Sequence, residues 1–159
     1  MPNSVQPGFA SLVMADGLIA DLPAFSKEAA LMVLARRAGE LLGQPVPLIH
    51  ERLRTREALG TTGFGGGAAI PHARLPGLEG CVAMVARLSQ PIDWGTIDGD
   101  PVDVLVLLLS PETSGADHLK ALARISRSLR DPATVPALRA ATTAEAMRVA
   151  IGGDVTVSA

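Results

Sequence analysis

Val104-Leu105-Val106-Leu107-Leu108-Leu109 is a continuous apolar run set between Pro101 and Pro111. Its length suits a strand better than a helix, and prolines bound it on both sides. An apolar run without alternation leaves no face for water, so it reads as a central strand covered on both faces. Cys81 to Leu88 reads as a second strand, with Val82, Met84 and Val85 of suitable type, and Asp98-Gly99 between the two is a turn signal.

Upstream, Ser26 reads as the N-cap of a helix whose apolar stripe is Leu31, Leu34, Ala35, Ala38, Leu41 and Leu42, stopped by Gly43 and Pro45. Pro47 is placed as the first residue of a second helix, running to about Ala58. Leu18 to Leu22 reads as a short strand or extended entry, after an N-terminal segment, residues 1–17, expected to be loosely ordered. Downstream, a helix begins near Ser114 with Leu119, Leu122, Ala123, Ser126 and Leu129 on one face. Asp131-Pro132 opens another, and Thr142 with Glu145 has capping-box spacing for the last. Gly152-Gly153 ends that helix, and residues 152–159 are expected to form a loose tail. Two helices, a group of strands and three helices make an α/β sandwich.

Bulk composition narrows the function. The chain has 159 residues, 48% of them hydrophobic, which argues for one domain with a real core. Aromatic residues are 3% with no Tyr, and the net charge is -2. That removes both the stacking platforms and the basic footprint of a nucleic-acid binder. The single Cys81 can form no intrachain disulfide and reads as a buried strand thiol. No signal peptide and no bilayer-length apolar run is evident, so a cytoplasmic location with no membrane insertion is the expectation.

Chemistry concentrates in Gly60-Thr61-Thr62-Gly63-Phe64-Gly65-Gly66-Gly67-Ala68-Ala69-Ile70-Pro71-His72. Glycines at this density let main-chain N–H groups converge on a small anion. The histidine that ends the stretch is then placed to accept a phosphoryl group, with Pro71 stiffening the approach. The stretch carries neither the Gly-Lys-Ser/Thr of a Walker A loop nor the GxGxxG of a dinucleotide site. Arg56, four residues before Gly60, has the planar fork that suits phosphate. Arg52 and Arg54 are close by, and a solvated basic face is the other reading of all three, while Arg74 is a second candidate or a contact for a docking partner. His118, near the start of the third helix, is either a second phosphoryl contact or a surface histidine paired with Asp117. His50 reads as a surface or half-buried helix residue. No HExxH or Cys/His spacing indicates a metal, and no cofactor is expected.

Taken in order, Thr55-Arg56-Glu57, Gly60-Thr61-Thr62-Gly63, Ile70-Pro71-His72, Pro91-Ile92-Asp93-Trp94, Asp98-Gly99-Asp100-Pro101-Val102 and His118-Leu119 resemble the enzyme IIA component of the fructose/mannitol/nitrogen class of the bacterial phosphotransferase system. The resemblance spans residues 18–151. It departs from the common pattern at Ala73-Arg74, where Gly-Lys is more frequent, and at Gly66, where Asn is frequent. It implies a mixed sheet between helical layers, hence a three-layer α/β/α sandwich. It implies that His72 is the phosphorylated histidine, His118 the second active-site histidine and Arg56 the arginine beside them. Thr61, Thr62, Gly63, Gly65 and Gly66 are the expected phosphate-binding positions.

The implied donor is the histidine phosphocarrier HPr or its nitrogen-branch paralogue. No IIB or IIC segment is seen, which fits the free-standing nitrogen-regulatory branch, with transporters or sensor kinases as implied regulatory targets. Sugar-transporting members pass phosphate on to a IIB domain, and that is the first rival reading. A regulatory binding module in which transfer is incidental is the second, and a domain that binds an anion without accepting phosphate is the third.

Overall fold

The computed structural model describes residues 8–153, and the calls on residues 1–7 and 154–159 lie outside it. Six strands and five α-helices follow in the order β1 (Val13–Leu22), α1 (Lys27–Leu42), α2 (Val46–Ala58), β2 (Gly63–Gly65), β3 (Ala68–Ala69), β4 (His72–Leu75), β5 (Val82–Ile92), β6 (Val102–Pro111), α3 (Ala116–Arg130), α4 (Thr134–Ala140) and α5 (Ala144–Ala150). The sheet is mixed, ordered β1-β5-β6-β3-β2, with β4 also paired to β6. β1 runs parallel to β5, β5 antiparallel to β6, and β3 and β4 both parallel to β6.

The apolar run at 104–109 is the centre of this sheet, and all six residues are buried. Leu105, Leu107 and Leu109 pack into one core with Leu31, Leu34 and Ala38 of α1 and Ile49 and Leu53 of α2. Val104, Val106 and Leu108 pack into the other with Ala121, Ile125 and Leu129 of α3, Leu138 of α4 and Met147 of α5. Two-sided burial is the reason the strand shows no polar alternation, and three layers result.

The helix signals in the first half act as read. The Ser26 hydroxyl accepts from the Ala29 amide, and Gly43 closes α1 in the left-handed conformation at φ 66°. Pro47 lies in the first turn of α2.

Five expectations change. β1 begins at Val13, not Leu18, and is preceded by a 3-10 turn over Ala10–Leu12 beside the buried Phe9, so order starts well before Gly17. β1 lies at the sheet edge with two irregularities in its register, which erases the period that would have marked it. The inner face of α3 is His118, Ala121, Ile125 and Leu129, while Leu119 is 64% exposed, so the stripe is rotated by about one residue. α4 starts at Thr134, because the Asp131 carboxylate caps a turn at the Ala133 amide rather than the helix itself. The cap of α5 is Thr143, whose hydroxyl accepts from Ala146. Cys81 precedes β5 and is half-buried rather than enclosed.

Candidate functional site

His72 opens β4, where it pairs across to Leu108 of β6, and the Leu108 amide donates to the Pro71 carbonyl at 3.0 Å. Its Nδ1 lies 2.8 Å from the Ile70 carbonyl oxygen. A carbonyl only accepts, so Nδ1 carries the proton and Nε2 carries the lone pair. Arg56, in the last turn of α2, donates from Nε to that Nε2 at 3.2 Å and from a terminal nitrogen to the Gly60 carbonyl at 2.9 Å. The guanidinium is thereby held against the one ring nitrogen of His72 that carries a lone pair.

The third residue of α3 is His118, which is 6% exposed. Its Nδ1 lies 2.7 Å from the hydroxyl of Ser110, a fully buried residue of β6. The two imidazole rings face each other with centroids 5.5 Å apart and planes inclined at 48°. His72, His118 and Arg56 therefore meet, although they come from three different elements.

Both imidazoles are held neutral. Burial lowers the pKa of His72 most, opposed by its hydrogen bond to Ile70 and assisted by the Arg56 charge. Burial, then the charges of Arg74 and His72, lower His118 to about 4. A neutral His72 is the state in which Nε2 is nucleophilic.

The glycine stretch is a hairpin rather than a continuous anion cradle. β2 and β3 pair antiparallel, and Gly65, Gly66 and Gly67 take φ of 106°, 65° and 92° to turn the chain between them. Three of the amides expected to hold phosphate are already engaged. The Thr62 amide donates to Glu57 at 3.0 Å, that of Gly63 to the Thr61 hydroxyl at 3.0 Å, and that of Gly66 to the Asp98 carboxylate at 3.1 Å. Backbone geometry explains the glycines, and a carboxylate at the hairpin tip repels an anion there. The amides of Asp100 and Gly66 hold the Asp98 pKa below its usual value.

The other candidates disperse. Arg52 donates to the Arg74 carbonyl and pairs with Glu112 at 3.2 Å, and Arg54 faces Glu28 at 3.9 Å. His50 sits half-buried in the second turn of α2 with its Nε2 enclosed and unpartnered among the described residues. No group of three or more metal-ligating side chains occurs among the described residues. None of the described helices is long and apolar enough to cross a membrane.

A network behind the site escaped sequence reading. Glu57, its side chain 6% exposed, pairs with Lys27 at 2.7 Å and also accepts from the Thr62 hydroxyl. Lys27 donates to the Trp94 carbonyl at 3.1 Å and stands 5.0 Å over the Trp94 ring. The network ties α1, the end of α2 and the hairpin together next to Arg56. The motifs around Glu57 and Trp94 were its visible trace in the sequence.

The fold and the paired histidines define a phosphotransferase-system IIA domain. The chain belongs to the family described as phosphoenolpyruvate-dependent sugar phosphotransferase system, EIIA 2, which matches residues 12–151. Within it, the chain is 50% identical over 136 residues to a nitrogen regulatory protein of Bradyrhizobium diazoefficiens, covering 86% of this chain and 89% of that one. It is 36% identical over 110 residues to a phosphotransferase-system fructose-specific EIIA component of Haloferax volcanii, covering 67% and 70%. The crystal structure of nitrogen regulatory protein IIA-Ntr from Neisseria meningitidis superposes with a TM-score of 0.83 at 25% identity, covering 89% of this chain and 97% of that one.

Proposed function

We propose that this chain is a phosphoryl carrier of the nitrogen-regulatory phosphotransferase branch, loaded on His72 by the phosphohistidine of HPr or its nitrogen-branch paralogue. The observation that carries the reading is the Nε2 lone pair of His72, fixed by the Ile70 contact and faced by Arg56. Nε2 attacks phosphorus as the N–P bond of the donor breaks, and the phosphoryl group crosses in line through a loose transition state. The donor leaves as a neutral imidazole when its phosphohistidine is protonated on the other ring nitrogen. His72 keeps its Nδ1 proton on Ile70, and the positive charge passes to the newly phosphorylated ring. Arg56 moves from the ring nitrogen to the transferred oxygens, where its charge offsets theirs.

Large apolar side chains lie exposed on residues next to site residues. Leu59 follows Arg56 by three positions, Leu119 adjoins His118, and Ile97 is in the turn beside the hairpin. They supply the desolvated contact that a protein donor needs, in keeping with a cytoplasmic relay. Phosphate on His72 then alters the charge at the site, the means by which a regulatory target reads it.

The fructose-specific relative favours a second reading, in which the phosphoryl group passes on to a IIB domain. One experiment tests the first and then the second. Intact mass is measured after incubation with enzyme I, HPr or its paralogue, and phosphoenolpyruvate. The expected result is one phosphoryl group, lost in acid and absent from His72→Ala. An unlabelled wild-type chain, or a labelled His72→Ala chain, overturns the carrier reading. Adding a IIB domain that removes the label supports the sugar branch.

A further inference from the structure

We infer that Ser110 is a positioning residue that fixes the tautomer of His118, so that the neutral ring presents an Nε2–H donor to the phosphoryl group carried by His72. The inference rests on the carrier reading of the site and assigns its second histidine a chemical state.

The Ser110 side chain is fully enclosed, and His118 Nδ1 at 2.7 Å is its one hydrogen-bond partner among the described residues. A hydroxyl always carries a proton, and a buried donor left without an acceptor is costly. If His118 donated from Nδ1, the Ser110 hydrogen would have nowhere to go. The hydroxyl therefore donates to Nδ1, and the imidazole proton resides on Nε2. Nε2 has no hydrogen-bond partner among the described residues and is not sealed from solvent, and its ring lies 5.5 Å from that of His72. It remains free to donate to a phosphoryl oxygen.

The two histidines are thus held in opposite tautomers. The Ile70 carbonyl takes the Nδ1 proton of His72 and leaves a lone pair at Nε2. Ser110 supplies a proton to Nδ1 of His118 and leaves a donor at Nε2. One ring can attack phosphorus and the other can bind its oxygens, with no proton exchanged between them. Register supports this arrangement. Ser110 lies two residues beyond Leu108 on β6, on the same sheet face, and Leu108 is the residue His72 pairs with.

The test is a two-bond proton–nitrogen correlation spectrum of the 15N-labelled full chain near neutral pH, with phosphoryl uptake from phosphorylated HPr measured in parallel. Wild type is expected to show His72 protonated on Nδ1 and His118 on Nε2. Ser110→Ala is expected to mix the tautomers of His118 while leaving the His72 signature intact, and to slow uptake about tenfold. Ser110→Thr keeps the hydroxyl and is expected to retain both. Wild-type His118 protonated on Nδ1, or a Ser110→Ala chain with unchanged tautomer and rate, overturns the inference. If Ser110→Ala loses the His72 signature too, its fold is lost, and the wild-type spectrum with Ser110→Thr decides alone. Normal uptake with the wrong tautomer overturns only the role of Ser110. No uptake with the expected tautomer overturns the carrier reading, and the role of Ser110 with it.

Discussion

Arg56 and His72 stand sixteen residues apart in sequence, and the Arg56 Nε–H points at the lone pair of His72 Nε2 from 3.2 Å. In the proposed carrier this cation would stabilise the transferred group, and in the structure it occupies the lone pair that would attack. Replacing the fork with a point charge separates these duties. Arg56→Lys is expected to keep the fold and to slow phosphoryl uptake about 100-fold, the scale of one lost transition-state donor. Single-turnover labelling from phosphorylated HPr checks this, and a wild-type rate would remove Arg56 from the chemistry.

Acid should weaken the fold through the same histidines. Both have folded pKa values below the ordinary 6.5, His118 at about 4. Between those values the unfolded chain binds more protons, so stability rises with pH across the window. It is complete above about 6.5, and the His118 share is lost as pH falls toward about 4. Urea midpoints measured from pH 4 to 8 read the slope. His118→Gln cannot titrate there, so its profile should be flatter, and an identical profile would contradict the assignment.

The Lys27–Glu57 pair is anchored by a carboxylate with 6% side-chain exposure, while Lys27 retains 27%. Glu57→Ala leaves the ammonium without its counter-ion, with the Trp94 carbonyl remaining, and the Thr62 donors without their acceptor. The expected loss is about 3 kcal/mol, near the low end for a broken buried pair because Lys27 still reaches water. Glu57→Gln keeps an acceptor and should lose less. Denaturant midpoints at constant m-value decide, and an undisturbed Glu57→Ala chain would make the network incidental.

Leu59 is 82% exposed and Ile97 95%. Leu59→Asp and Ile97→Asp should therefore shift stability by no more than about 0.5 kcal/mol. Their expected effect is a raised KM for phosphorylated HPr with little change in kcat. If KM stays put, donor docking uses another face.

Legibility in the sequence tracked how local the physics was. α1 and α2 announced themselves because Ser26, Gly43 and Pro47 act within a turn of their own positions. β6 was readable because burial on both faces leaves an unbroken apolar run. β1 was half-hidden, since an irregular edge strand with Ala15 and Asp16 facing water has no clean period. His72, Arg56 and His118 were legible as a set through the resemblance, yet their meeting depends on strand pairing that no spacing encodes. The glycines were ambiguous, because a hairpin and an anion cradle demand the same residue type. Ser110 was invisible, being one hydroxyl at the end of an apolar strand whose partner lies eight residues on.

The proposed nucleophile on β4 and the anchor of its companion histidine on β6 are brought together by one ladder, His72 opposite Leu108 and Ser110 two places further along β6. Slippage of one residue in that ladder would send these side chains to opposite sides of the sheet. On the proposed function, competence to take up label is therefore an all-or-none property of the assembled β-ladder, absent from any collapsed but misaligned chain. An acid-labile mass increment can serve as a sensitive assay of correct refolding, more discriminating than helix content or compactness.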